Sequence, residues 1–294
     1  MVRLFLLLTV GIVAISTASI LIKLCDAPAL IISAYRVGVA SLLLMPWAIH
    51  RMVRRQWEPR SLRWCVLAGF FLSLHFAFWI ASLTYTSVAS SVVLVTTNPI
   101  FVGFGAWLLL KEPLTRPLML GIALSVLGSR FIGYGDMAIS RDALFGDGLA
   151  LLGAVMASGY LLVGRKMRKD QDLFSYVFPV YFSAGVLLIG VCLLFRKPFF
   201  GYSSSTYLLL FLLALIPQLL GHTAFNWSLK YLPASIVSIA ILGEPVGSTL
   251  LAFLFLGETL TFWKVLGGIS IFAGIIIAMT RAPGSQETRE RNLS

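Results

Sequence analysis

Residues 98–115 read NPIFVGFGAWLLLKEPLT, and residues 244–261 read EPVGSTLLAFLFLGETLT. The two stretches align without a gap at an offset of 146 residues, and the alignment extends from residue 82 to residue 128 of the first copy. Leucine matches are common between apolar segments, but matched proline, glutamate and glycine positions each have a specific backbone or charge role. The sequence therefore predicts an internal repeat.

The composition around this repeat is that of a membrane protein. Apolar residues make up 59% of the 294 positions and charged residues only 12%, whereas soluble domains have roughly 25% charged residues. The three cysteines lie in apolar stretches without metal-ligand spacing, which excludes a disulfide scaffold and a cysteine metal site. We expect an all-α polytopic membrane protein with no cofactor.

The apolar segments predict ten transmembrane helices, because a helix needs about 20 apolar residues to cross the hydrocarbon core. The repeat divides them into a first five-helix unit at 1–134 and a second at 147–281, followed by a disordered cytoplasmic tail at 282–294. Since five is odd, the two units enter the membrane in opposite orientations, as inverted repeats. The predicted spans are 4–24, 28–50, 62–85, 88–110, 115–133, 147–165, 173–196, 205–229, 233–256 and 261–280.

The basic residues indicate the orientation of the chain. With ten spans, 16 lysines and arginines fall on the side of the termini and 6 on the other side. This bias predicts that both termini are cytoplasmic. The net charge of +11 does not indicate a nucleic-acid partner, because no hydrophilic stretch is long enough to form a basic soluble face.

Four short motifs carry a resemblance to a known family. They are GEPV at 243–246 and LGETLT at 256–261, echoed by NPIF at 98–101 and LKEPLT at 110–115. With these motifs the chain resembles the EamA-type branch of the drug/metabolite transporter superfamily, and within it the YddG-type amino acid exporters.

The resemblance implies a secondary transporter that exports amino acids, including aromatic ones, and related metabolites across the bacterial inner membrane by alternating access. It also implies a central cavity lined by spans 1, 3, 4, 6, 8 and 9, with spans 5 and 10 packed behind. The expected partners are a small-molecule substrate, the lipid bilayer and protons, with the protein as a monomer or homodimer.

Glu244 is the most informative single residue, because it lies about 16 Å into its span, near the bilayer centre. An ionisable group there usually faces a cavity or a partner. Glu244 either contacts a substrate ammonium group or carries a proton, or else it is a structural carboxylate. The first repeat has Asn98 at the equivalent position, so the two repeats need not contribute the same chemistry.

Pro99 and Pro245 are equivalent under the repeat, and each removes a backbone donor in the middle of a span. The free carbonyls belong to Val95 and Ile241, four residues earlier. Such breaks are tolerated at membrane depth only inside protein or beside water. Both prolines are predicted hinges, with a static packing kink as the alternative.

Further cavity candidates are polar or aromatic residues that share helix faces. Gln218, His222 and Asn226 form one stripe at i, i+4 and i+8 on span 8. His75 and Trp79 share a face of span 3. Helix-to-helix hydrogen bonding is the alternative for the polar residues and an interfacial belt for the tryptophan. Arg36 either balances a buried acid or snorkels outward, and we favour a structural role. The cavity candidates are His75, Trp79, Asn98, Tyr160, Gln218, His222, Asn226 and Glu244.

Other functions compete with amino acid export. Within transporters, the alternatives are export of organic cations or multiple drugs, or of sugar-linked nucleotides. An integral-membrane enzyme would need a clustered nucleophile, metal set or acid–base pair, and a channel would need filter-like or charged rings. The polar residues of this sequence are instead scattered singly over many spans.

Overall fold

The computed structural model describes residues 2–53, 59–86, 88–134, 141–257 and 259–279, and these residues form helices and short connections without strands. The predicted tail at 282–294 and Glu258 of the second motif lie outside the described residues. The helices are α1 (Val2–Ser16), α2 (Ala18–Leu24), α3 (Ala29–Val53), α4 (Pro59–Tyr85), α5 (Val88–Val95), α6 (Asn98–Leu110), α7 (Arg116–Gly133), α8 (Arg141–Arg168), α9 (Leu173–Leu194), α10 (Ser204–Leu213), a π-helix (Ala214–His222), α11 (Thr223–Ser228), α12 (Ala234–Ile241), α13 (Gly243–Leu256) and α14 (Phe262–Met279).

The helical segments follow the predicted spans. Within the described residues, eight stretches are long and apolar enough to cross a membrane, and Phe262–Ala278 is a shorter apolar helix. The fifth predicted span is the helix α7, which carries an arginine at each end and is not among the eight. The all-α polytopic fold is confirmed.

The fourth and ninth spans are each broken near the middle, and the breaks are equivalent. α5 ends at Val95 and α6 begins at Asn98, while α12 ends at Ile241 and α13 begins at Gly243. Pro99 and Pro245 lie in the first turns of α6 and α13, where a missing backbone donor costs no helical hydrogen bond. The repeat thus places two half-helix N-termini in the interior of the bundle.

The first and eighth spans are interrupted in different ways. Between α1 and α2, the hydroxyls of Ser16 and Thr17 donate to the carbonyl oxygens of Ile12 and Ala14, at 2.7 Å each. In the eighth span the chain widens into the π-helix around Pro217. Because proline cannot donate to the preceding turn, the hydrogen-bond ladder must change register there.

The helices α7 and α14, equivalent under the repeat, cross antiparallel through four glycines. A Cβ added to Gly121 would lie 2.7 Å from the carbonyl oxygen of Gly274, and one added to Gly128 would lie 2.6 Å from that of Gly267. Gly121 corresponds to Gly267 and Gly128 to Gly274, so each contact is the repeat image of the other. Antiparallel packing of equivalent helices is what inverted repeats require.

Candidate functional site

A small cavity lies where the interrupted spans meet. Its volume is about 50 Å³, room for one or two water molecules, whereas small-molecule pockets measure about 300–1,000 Å³. The helices must therefore separate to admit a substrate. Six of the eight predicted cavity residues line it, namely His75, Trp79, Asn98, Tyr160, His222 and Glu244, together with Arg36, Thr96 and apolar side chains.

Gln218 and Asn226, the other two candidates, lie behind the cavity wall and hold its residues. Gln218 Oε1 accepts a 3.0 Å hydrogen bond from Arg36 Nε. The side-chain amide of Asn226 donates to the hydroxyl of Tyr160 and to the carbonyl oxygen of His222. Of the predicted stripe on span 8, only His222 therefore lines the cavity.

Arg36 is a wall residue that the sequence reasoning did not include among the cavity candidates. Its side chain is 1% exposed, so it does not snorkel to the membrane surface. Its guanidinium carbon lies 4.2 Å from the centre of the Phe76 ring, a cation–π contact, and 6.0 Å from that of Trp79. An arginine within an apolar span usually faces the interior of the bundle or a cavity, and this was the sequence signal that could have identified it.

Glu244 faces the same cavity without a direct ion pair to Arg36. Among the described residues, ion pairs join Arg51 to Asp172 and Arg165 to Glu112, and neither involves the cavity. Glu244 lies in the first turn of α13, where the helix dipole stabilises a negative charge. The cavity wall therefore carries one basic and one acidic side chain that make no direct ion pair with each other.

A serine from the other repeat lies against the start of each half-helix. Ser16 Oγ lies 3.5 Å from the carbonyl oxygen of Glu244, and Ser158 Oγ lies 3.3 Å from that of Asn98. The shorter hydrogen bond of each hydroxyl, at 2.7 Å, goes to the carbonyl four residues earlier in its own helix. Asn98 and Glu244 are repeat equivalents. Movement of one repeat against the other would therefore act directly on both residues.

The two histidines meet on one side of the cavity. His75 Nδ1 lies 2.9 Å from the carbonyl oxygen of Gly153, and since a carbonyl only accepts, Nδ1 carries the proton. The ring of His75 stacks on that of Trp79 with centres 5.9 Å apart, and His222 lies 6.5 Å away. The hydrogen bond and the stacking hold the ring of His75 in place. Gly153 contacts only Nδ1, so Nε2 makes no hydrogen bond to it.

Several buried polar atoms of the wall have no hydrogen-bond partner among the described residues. They are Arg36 Nη1 and Trp79 Nε1, which are donors, and Asn98 Oδ1, an acceptor. Buried polar atoms are nearly always hydrogen-bonded in folded proteins, so such a group of exceptions needs an explanation. Water molecules or a polar ligand in the cavity would provide these hydrogen bonds.

A largely buried ion pair joins the helices at the end of the bundle that the charge bias predicts to be cytoplasmic. Arg165 Nε donates to Glu112 Oε1 at 2.7 Å, and its Nη1 donates to the carbonyl oxygen of Leu229 at 2.7 Å. Glu112 Oε2 accepts from the backbone of Ala234 at 3.2 Å. Both charged side chains are largely buried, at 13% and 11% exposure. This ion pair joins the end of α6 to α8 and to the start of α12.

Comparison with known proteins identifies the family. The model of the EamA-like transporter family matches residues 2–134 and 144–280. The chain belongs to the EamA-like transporter family. This transporter is 27% identical over 289 residues to an uncharacterized transporter of Archaeoglobus fulgidus, covering 95% of the chain and 97% of the relative. It is also 27% identical over 253 residues to an uncharacterized transporter of Clostridium kluyveri, covering 81% and 79%.

The fold of this EamA-like transporter is also found in a solved structure. A protein crystal structure superposes with a TM-score of 0.77 at 17% identity, covering 95% of the transporter and 96% of that chain. The predicted family and the multi-pass membrane location are confirmed by the family match. The two matched segments agree with a duplicated architecture, and the predicted unit boundaries at 134 and 147 stay predictions.

Proposed function

We propose that the transporter is a secondary exporter of amino acids and binds them as zwitterions between Arg36 and Glu244. The observation that carries the proposal is that a basic and an acidic side chain line one cavity without an ion pair between them. An amino acid presents the complementary arrangement, a carboxylate and an ammonium group joined by one carbon.

The polar atoms of the cavity wall that lack hydrogen-bond partners indicate how the amino acid would be oriented in the cavity. Arg36 Nη1 and Trp79 Nε1 supply donors for the carboxylate. Asn98 Oδ1, which is unpartnered, and the carboxylate of the wall residue Glu244 supply acceptors for the ammonium group. Apolar wall residues such as Leu161 and Phe225 are available to the side chain, in the arrangement usual for small-molecule sites.

Export of organic cations is the second candidate function, and the presence of Arg36 in the cavity wall disfavours it. A buried guanidinium beside a substrate cation adds like-charge repulsion in a medium where charges are poorly screened. Glu244 alone would suit a cation, whereas Arg36 and Glu244 together suit a net-neutral zwitterion. The bacterial inner membrane, cytoplasmic termini and coupling to protons complete the proposal.

The test is transport of a matched panel by the purified protein in liposomes, with and without a pH gradient. Phenylalanine carries both charges, phenethylamine lacks the carboxylate, and hydrocinnamate lacks the ammonium group. We expect the wild type to transport phenylalanine and neither analogue. Movement of tetraphenylphosphonium without phenylalanine would overturn the substrate class.

Two variants then separate binding from structure. Glu244→Gln and Arg36→Gln should each reduce phenylalanine transport about 10- to 100-fold, since a hydrogen bond to a charged group contributes about 1.5–3 kcal/mol. Glu244→Gln should also lose any pH dependence, whereas a merely structural, protonated Glu244 would be mimicked by Gln. Arg51→Gln and Asp172→Asn remove charges outside the cavity and serve as controls.

A further inference from the structure

A second cavity lies on the outer surface of the bundle, between α6 and α7. Its volume is about 400 Å³, and apart from Arg130 it is lined by apolar residues. Phe104 on α6 and Leu127 on α7 are wall residues whose side chains are 58% and 50% exposed. On a helix pair that crosses a membrane, such a surface contacts lipid.

The groove has the length of one leaflet. Its α7 wall runs from Met119 to Arg130, about 16 Å at 1.5 Å per residue. Half of a hydrocarbon core of about 30 Å is about 15 Å. An acyl chain lying along α7 would therefore have its headgroup end beside Arg130, on the membrane side opposite the Glu112–Arg165 ion pair.

Arg130 gives this end of the groove its charge. The side chain is exposed near the C-terminal end of α7, and no ion pair joins it to another residue of the part of the chain that the structure describes. Basic side chains at a membrane interface attract anionic headgroups by about 1 kcal/mol each. The charge thus complements a phosphate group at the end of an apolar slot.

The second repeat lacks the same features. At the offset of 146, Gly103 corresponds to Thr249 and Arg130 to Ile276. Gly103 keeps the groove floor low, because a Cβ there would approach Ile122 Cδ1 to 3.1 Å. Gly103, which leaves room in the groove, and Arg130, which gives it a positive charge, therefore have no counterparts of the same type in the second repeat.

We propose that the groove between α6 and α7 binds one anionic phospholipid, with an acyl chain along α7 and the phosphate at Arg130. The site is independent of the substrate cavity. It nevertheless touches α6, because Ile100 lines the groove two residues after Asn98 lines the central cavity.

The experiment is native mass spectrometry of the full chain from micelles with equal amounts of phosphatidylglycerol and phosphatidylcholine. We expect the wild type to retain one phosphatidylglycerol in preference to phosphatidylcholine. Arg130→Gln should weaken retention about fivefold, the factor corresponding to one basic residue. Ala123→Phe fills the groove from an exposed position and should abolish retention of either lipid there.

The control is Arg141→Gln, which removes an exposed arginine at the start of α8 and should leave retention unchanged. Thermal midpoints in lipid-free detergent should be equal for all variants, since the altered side chains are exposed. Equal retention by the wild type and Arg130→Gln, or by the wild type and Ala123→Phe, would overturn the proposal. Displacement of the lipid by glycerol phosphate alone would also overturn it, since it would indicate a small-anion site.

Discussion

Ser125 Oγ lies 3.4 Å from the main-chain oxygen of Ile271 and donates a hydrogen bond to it. The two residues are 146 positions apart, which is the repeat offset, so Ser125 contacts its own equivalent. A residue can touch its repeat image only near the axis that relates the two repeats. The pseudo-two-fold axis therefore passes between α7 and α14, and the glycine contacts lie on either side of it.

The first prediction concerns this crossing. Gly128→Ala should destabilise the protein by about 1–3 kcal/mol, the usual cost of overpacking, because two of the three atoms in conflict, Gly267 O and Ile271 N, belong to the backbone. The thermal midpoint in detergent measures the effect. Gly148→Ala on α8 is the matched control, since no atom lies within 4 Å of its Cβ position. A Gly128→Ala protein as stable as Gly148→Ala would contradict the close crossing.

The second prediction concerns the breaks at the cavity. Pro99→Ala and Pro245→Ala each restore a backbone donor and allow the two half-helices to join. We expect the transport rate to fall several-fold while substrate affinity, measured by calorimetry in detergent, stays within about twofold. Pro46→Ala within the unbroken α3 is the control. If affinity and rate fall together, the prolines shape the site rather than permit its movement.

The third prediction concerns the Glu112–Arg165 ion pair and rests on the hypothesis that it closes the predicted cytoplasmic end of the bundle. Glu112→Gln removes one charge of a largely buried ion pair and should favour opening at that end. A cysteine at Ala157, in the cavity wall, reports this in a protein whose three buried cysteines are replaced. Labelling by an impermeant maleimide from the predicted cytoplasmic side should increase in Glu112→Gln and not in Arg51→Gln. An increase only from the opposite side would contradict the assignment.

The fourth prediction concerns Cys25, which follows α2 at the other end of the bundle and lines a cavity of about 310 Å³ there. Burial, and to a lesser extent the charge of Asp26, raise the pKa of this thiol to about 11. Because the thiolate is the nucleophile, a raised pKa means slow alkylation at neutral pH. The rate should rise about tenfold per pH unit up to about pH 10. A plateau by pH 9 would contradict the raised pKa.

Some of the site could be predicted from local sequence. Glu244 and Asn98 stand out because each is polar at membrane depth and precedes a proline, and both line the cavity. Glu112 belongs to the LKEPLT motif at 110–115, and in the structure it contacts Arg165 and Ala234 of the other half.

Arg36 shows the limit of local reasoning. Its sequence neighbourhood is compatible both with snorkelling and with a buried role, and only the positions of Phe76 and Gln218 on other helices decide between them. The spacing of Gln218 and Asn226 likewise places them near one helix face but does not say that their partners are wall residues.

The sequence by itself determined that the chain crosses a membrane repeatedly, where its spans lie, and that its two halves are related. These properties depend on apolar content, proline chemistry and residue matches, all of which are local or countable along the chain. Only the tertiary structure decided which residues share the cavity, that Arg36 and Glu244 face it without a direct ion pair, and that α7 and α14 cross at the axis. Contacts between helices depend on how each helix rotates and packs against neighbours far away in sequence, and no single span encodes that arrangement.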